Sequence, residues 1–226
     1  MTRPTRRTRG FPLIEMLAVV VVVLGVTGVA IAGYVDISSQ NLRAAGLPRD
    51  ARRATAVLDR VARDLEAARL AVKPDERDPL EHPWVFLAET RRSSEGADRL
   101  KFVTLGQPPS ASRAAASDLC QVAWLTRQTA EGDLELLRWS FPRLSEGLDR
   151  NFPRADDPGV FLVADGLEHF GVRFLDDAGE WSSRWDSSTL AQSSQPPLLA
   201  EISVAMAARE PGEPPSEAFV RRVILP

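Results

Sequence analysis

The sequence predicts an α+β protein: a long N-terminal helix packed on an antiparallel, β-rich head. Three observations predict it. An apolar run from Phe11 to Ala32 is interrupted by one charge, Glu15. Further on, Ala54, Val57, Leu58, Val61, Leu65 and Ala68 recur at three- and four-residue steps, the spacing of one helix face. After Pro79 the apolar period changes to two, as half-buried strands require.

The first element begins behind a basic segment. Residues 1–10 hold Arg3, Arg6, Arg7 and Arg9 and no acid. The apolar run is long enough for a bilayer, which needs roughly 20 residues. The arginines hold the N-terminus in the cytoplasm, so everything after Tyr34 is expected outside. Two export readings compete. A secretory signal would use the small-residue site Ala30-Ile31-Ala32 before Gly33. The second reading rests on Gly10-Phe11-Pro12-Leu13-Ile14-Glu15, which resembles the prepilin signature. That resemblance implies cleavage between Gly10 and Phe11 by a prepilin peptidase/methyltransferase. It also implies N-methylation of Phe11 and retention of the apolar run.

Glu15 favours the second reading. A carboxylate inside a span costs about 2.5–3.5 kcal/mol on the insertion scale, and a disposable signal gains nothing from it. In prepilin-like proteins the glutamate at this position pairs with the N-terminal amine of a neighbouring subunit, so the resemblance gives Glu15 an assembly role. Glycine before the cut lets the chain lie extended in a narrow cleft. Pro12 departs from the small polar residue usual at that place, but proline in a first helical turn loses no hydrogen bond. Losing the leader leaves 24 bases against 31 acids, a net charge of −7. That charge suits a soluble head and argues against anionic surfaces as partners.

The second element is an amphipathic stalk over residues 34–73. Arg52, Arg53, Asp59, Arg60, Arg63, Asp64 and Glu66 fill the faces that the apolar stripe leaves, and Asp59 and Arg63 stand four apart. Gly46-Leu47-Pro48 predicts a kink or short break, since proline withdraws a donor and disfavours helix before it. Lys73-Pro74-Asp75 ends the helix. A continuous helix from Phe11 to Ala71 would be about 90 Å long at the usual rise.

The head, residues 74–226, reads as about eight strands. His82 to Leu87 is the first, kept near an edge by Pro83. Leu100, Phe102 and Thr104 alternate with Lys101 and Val103. Leu119–Arg127 and Leu134–Phe141 flank Thr129-Ala130-Glu131-Gly132-Asp133, a hairpin turn. Val160–Val163, the alternating Phe170, Val172 and Phe174, Glu201–Ala208 and Phe219–Leu225 complete the set. Residues 107–117 and 182–197 read as loops.

Composition removes several functions. With 28 Lys+Arg against 31 Asp+Glu the chain has no basic excess, so no nucleic-acid partner is expected. Cys120 is the single cysteine and His82 and His169 the only histidines, which excludes a disulfide framework and a Cys-rich zinc site. No nucleophile elbow, phosphate loop, dinucleotide fingerprint or zinc-protease motif is present, so no enzyme activity and no cofactor are expected. Asp156-Asp157 and Asp176-Asp177 sit in turn sequences; a calcium site is the rival reading, without an Asp-x-Asp-x-Asp-Gly ladder to support it. Cys120 reads as a core residue, His169 as outward-facing, and Trp181 and Trp185 as a core or lid pair rather than a ligand shelf.

Two further segments carry a closer resemblance. Leu58-Asp59-Arg60-Val61-Ala62-Arg63-Asp64-Leu65 resembles the helix of the type II secretion minor pseudopilin J family. Val163 to Asp176, then Gly179-Glu180-Trp181 and the proline-led Pro196-Pro197-Leu198 to Met206, are similar to that family's later strands. The resemblance implies a pilin-like fold and a tip subunit that helps initiate pseudopilus assembly. Its partners would be other minor pseudopilins, met through stalk and head, and the inner membrane, with the head periplasmic. A minor pilin of a type IV pilus or DNA-uptake filament is the alternative, and a membrane-anchored or secreted enzyme the remote one.

Overall fold

The structure, a computed structural model, describes residues 13–70, 84–92, 96–106, 118–189, 192, 195–208 and 216–226. Within 13–49 it describes side chains only at 16, 17, 19–27, 31 and 49. The chain divides into two compact units, Met1–Arg49 and Asp50–Pro226.

In the first unit, helix α1 starts at Leu13; the element is assigned to Glu66 and passes through Gly46, Leu47 and Pro48 without a break. Proline there removes one backbone donor and crowds the carbonyl four residues back, which bends a helix but need not end it. The apolar side chains Met16, Leu17, Val19–Leu24, Val26 and Ile31 are each 52–66% exposed. Thr27 turns its hydroxyl back to the Val23 carbonyl (2.7 Å), so this polar group is satisfied within the helix. Among the described residues no helix is long and apolar enough to cross a membrane. The expected span includes Phe11 and Pro12, which lie outside them, and several positions without a described side chain.

In the second unit, α1 ends earlier than its stripe implies. Ala67 N–H donates to Arg63 C=O (3.1 Å), and the Ala67 carbonyl then accepts from Leu105 (2.9 Å). Ala68–Arg69 is strand β1, paired with Thr104 and Val103. Ala68 is therefore buried as a strand residue, and the helix stops because the sheet takes over its backbone. The other strands are β2 Phe86–Glu89, β3 Arg99–Leu105, β4 Leu119–Gln128, β5 Leu134–Phe141, β6 Val160–Leu175, β7 Trp181–Ser182, β8 Trp185–Asp186, β9 Leu199–Met206 and β10 Phe219–Ile224. The result is a β-rich unit on an antiparallel sheet in the order β10-β9-β6-β5-β4-β3-β2-β8.

Several elements differ from their sequence-based bounds. The first strand begins at Phe86, and His82 and Pro83 lie outside the described residues. Val160–Val163 and Phe170–Phe174 are one strand, β6, whose register shifts twice against β5 and once against β9. Gly166, at φ +59°, lies in this stretch, a backbone that glycine adopts without strain. The stretch read as a loop after Trp181 contributes β7 and β8, since β6 and β2 both offer an edge there. Ala97, just before β3, forms two bonds with Val172 of β6 (2.8 and 2.9 Å). Strands three places apart thus approach, so the sheet is curled. Gly96 permits this: a Cβ there would lie 2.7 Å from the Val172 nitrogen.

The sheet has two unlike faces. Ala54, Val57, Leu58, Val61, Ala62 and Leu65 of α1, none more than 5% exposed, pack with Leu100, Phe102, Val122, Trp124, Phe170, Phe174, Ile202 and Val204 into one core. Phe86 stacks on Phe102 (5.4 Å) and meets Phe174 edge-on (5.5 Å). The opposite face carries Lys101 and Val103 of β3 and Gln121 and Ala123 of β4, all buried. It is tied to the segment after β5, residues 142–159.

Candidate functional site

Of the residues singled out for processing and assembly, Gly10 and Phe11 lie outside the described residues. Glu15 is helical, in the first turn of α1, without a described side chain.

What the structure does bring together is the junction of helix and sheet. Asp64 turns inward, continuing the row Val57, Val61. Arg138 reaches it from β5 with Nε to Oδ2 at 2.7 Å and Nη2 to Oδ1 at 3.2 Å, and Trp124 Nε1 donates to the same Oδ2 at 3.0 Å. The two side chains are only 6% and 13% exposed. The guanidinium also lies over the Phe161 ring (5.7 Å). Such a pair contributes little net energy, because desolvation offsets attraction, but it is costly to break from one side. It also fixes geometry, since a two-pronged bond tolerates neither rotation nor sliding of the helix. The sequence reading placed Asp64 among the outward charges. A signal was there: Leu134, Leu136 and Arg138 alternate on one strand, so Arg138 points where Leu136 points and needs an acid.

Two exposed ties flank this pair. Arg53 donates to Asp165 through the carboxylate (2.5 Å) and the carbonyl (2.9 Å). Arg221 of β10 pairs with Asp59 and stands 3.6 Å from Glu66. Asp59 is thus held by the sheet, while Arg63 donates to the Asp59 carbonyl rather than its carboxylate (3.1 Å).

The other face is clamped by charge. Lys101, 1% exposed, donates to the Asp149 carboxylate (2.6 Å) and carbonyl (3.0 Å) and to the Asn151 carbonyl (2.8 Å). Burial opposes charge on Asp149, but the Lys101 and Asn151 hydrogen bonds outweigh it and hold the carboxyl below its ordinary value. Gln121 bonds Ser145 (2.9 Å), and Arg99 lies over Phe152 (4.5 Å). Farther along the sheet, Glu201 of β9 takes Arg173 of β6 and Arg222 of β10 from its two sides. The Arg173 hydrogen bond, against some burial and with Arg222 helping, lowers its pKa.

The remaining candidates are structural. Cys120 is buried, and desolvation raises its thiol pKa above the usual value, with Arg138 opposing; a thiol so held is a poor nucleophile. His169 is half-buried and meets Ser203 Oγ at 2.9 Å. Trp185 is buried beside Phe174 with Nε1 on the Gln195 carbonyl (3.1 Å), whereas Trp181 is 40% exposed under Arg173. Asp157 and Asp176 accept turn amides from Arg154 (2.8 Å) and Glu180 (2.7 Å). Among the described residues no cluster of three His, Cys, Asp or Glu side chains is placed to hold a metal.

Residues 43–216 match the family model described as type II secretion system (T2SS), protein J. The chain belongs to that family. It is a minor pseudopilin of the type II secretion system, and the family is one of structural subunits. The match covers the Asp64–Arg138 pair and the Arg53–Asp165 tie, while Arg221 of the second tie lies past its end. No curated protein matches the pseudopilin's sequence. Among solved structures it is similar to a chain in the crystal structure of the GspK-GspI-GspJ complex from the enterotoxigenic Escherichia coli Type 2 Secretion System. The identity is 18% and the TM-score 0.44, over 78% of this chain and 97% of that chain.

Proposed function

We propose that this pseudopilin is made as an inner-membrane precursor and joins the tip of a periplasmic pseudopilus, where it helps initiate assembly. Residues 1–10 are the leader, 11–33 the membrane and assembly helix, and the stalk from 34 runs to Glu66, where the periplasmic head takes over with Ala68–Arg69 of its sheet. A prepilin peptidase/methyltransferase cuts after Gly10 and methylates Phe11. Glu15 then accepts the Phe11 amine of a neighbouring subunit, setting register in the membrane. Its partners are other minor pseudopilins, met through stalk and head.

One observation carries the membrane reading. The helical run Met16–Ile31 exposes apolar side chains on every described side, and a helix greasy all round needs an apolar surrounding. The basic segment before it sets the cytoplasmic end. The test is the mature protein's own N-terminus. Sequencing is expected to begin at a methylated Phe11 in wild type and in Glu15→Leu alike, with assembly weakened only in the variant. A mature protein starting at Gly33 would overturn the reading.

A further inference from the structure

The last turns of α1 have a face that the head leaves bare. At about 100° per residue, Arg52, Ala56, Arg60 and Arg63 fall within about 80° of one another, opposite the buried Leu58 and Leu65. Arg52, Thr55, Ala56 and Arg63 are exposed and Arg60 is half-buried. The carboxylates of the same segment are already engaged. Arg221 holds Asp59 and stands by Glu66, Arg138 holds Asp64, and Asp50 also has a partner. Among the described residues no carboxylate pairs with Arg52 or Arg60. Arg63 uses Nε on a carbonyl of its own helix, which leaves its two outer amino groups.

We propose that this face docks an acidic helix of a neighbouring minor pseudopilin. The inference rests on the reading that this chain packs beside other minor pseudopilins, and it adds the residues and the partner's chemistry. Steps of four, four and three are the rows along which helices pack, with axes about 8–10 Å apart. Thr55 and Ala56 are short, so a second backbone can come close between Arg52 and Arg60. Arg60 and Arg63, three apart, repel each other in the free chain, and an arriving carboxylate turns that cost into attraction. A guanidinium matches a carboxylate in two parallel bonds, which sets orientation as well as affinity. Charge complementarity names the partner, since among the described residues no acid of this chain pairs with Arg52 or Arg60.

The test uses the full-length chain with the other minor pseudopilins of its own system. Wild type is expected to co-purify with at least one of them, more weakly as salt rises. Arg52→Glu/Arg60→Glu/Arg63→Glu is expected to reduce that recovery about tenfold or more, while Arg52→Lys/Arg60→Lys/Arg63→Lys keeps most of it. Protease resistance of the head should stay unchanged in both, since among the described residues none of the three arginines pairs with a strand of the sheet. A second readout uses Ala56→Cys. Cys120 is the sole native cysteine and is buried, so a thiol-directed crosslinker should capture a partner through residue 56. If wild type co-purifies with no minor pseudopilin, the reading beneath this proposal fails. If wild type co-purifies and the triple Glu variant does so equally, with no crosslink at residue 56, this face is not the docking surface. If the triple variant loses only its binding to phosphatidylglycerol vesicles, the arginines serve a lipid surface and the proposal is overturned.

Discussion

The two faces of the sheet are closed by different physics. Under α1 the contact is apolar, and one ion pair, Asp64 with Arg138, lies within it. Under the segment after β5 the contact is polar, and one cation, Lys101, gathers three acceptors from that segment. The apolar face supplies most of the free energy, at roughly 25 cal/mol per Å² removed from water, but apolar contact is non-directional. The ion pair supplies the direction. On the other face a segment without regular structure has little apolar area to bury, so hydrogen bonds from a buried charge hold it. Removing Asp64 should therefore destabilise the whole unit, because it strands a buried cation in the apolar contact, whereas removing the Lys101 charge should release only the segment that it holds.

The largest effect is expected at Asp64. Asp64→Ala leaves Arg138 charged, buried and unpaired, which costs about 3–5 kcal/mol. Asp64→Leu/Arg138→Met/Trp124→Phe should recover most of that loss, because the pair's net contribution is small and the third change removes the indole N–H that Asp64 accepted. Denaturant midpoints of a fragment from Tyr34 onward check both. A triple variant as unstable as Asp64→Ala would mean that the pair itself stabilises the fold.

A smaller effect is expected at Lys101. In Lys101→Met the apolar stem remains and the three bonds go, while Asp149, 36% exposed, returns to water. The loss should be about 1–2 kcal/mol. Amide exchange should quicken at residues 143–158 and stay unchanged in α1. Equal acceleration in both would show that the two faces are one cooperative unit.

The smallest effect is the acid limb. Asp149 and Glu201 both have folded pKa values below their ordinary ones. Their contribution is complete above the unfolded carboxylate pKa of about 4. It is lost as pH falls through the lower folded values. Stability should thus hold between pH 7 and 5 and decline below about 4. Lys101→Met should reduce the Asp149 share, leaving what Asn151 supplies, and Arg173→Ala the Glu201 share, leaving what Arg222 supplies. An acid limb identical in wild type and both variants would place the titration elsewhere.

Much of this was legible in the residues because it is local. The three- and four-residue stripe from Ala54 to Leu65 marks the buried helix face. The alternation of Leu100, Phe102 and Thr104 marks the inward side of β3. Thr129 to Asp133 marks the hairpin between β4 and β5, with the Thr129 amide on the Asp133 carbonyl (2.8 Å). The Arg-Asp-Leu ending at residues 63–65 pointed to the J family, and the structure shows what its aspartate does.

What the tertiary structure decided are the pairings between distant residues. Asp64 finds Arg138 across 74 positions and Lys101 finds Asp149 across 48, so local periodicity saw only a charge in each case. The helix stops at Glu66 rather than near Lys73 because β3 offers Ala68 and Arg69 an edge, and a backbone donor taken by a sheet cannot also serve a helix. The short strands at Trp181 and Trp185 exist because β6 and β2 leave edges beside them. The sequence by itself determined which residues are apolar and at what period, and hence the helix, most of the strands and the family. Only the folded chain determined which charge meets which, because burial and partner together set the cost of a charge, and both are properties of the assembled sheet.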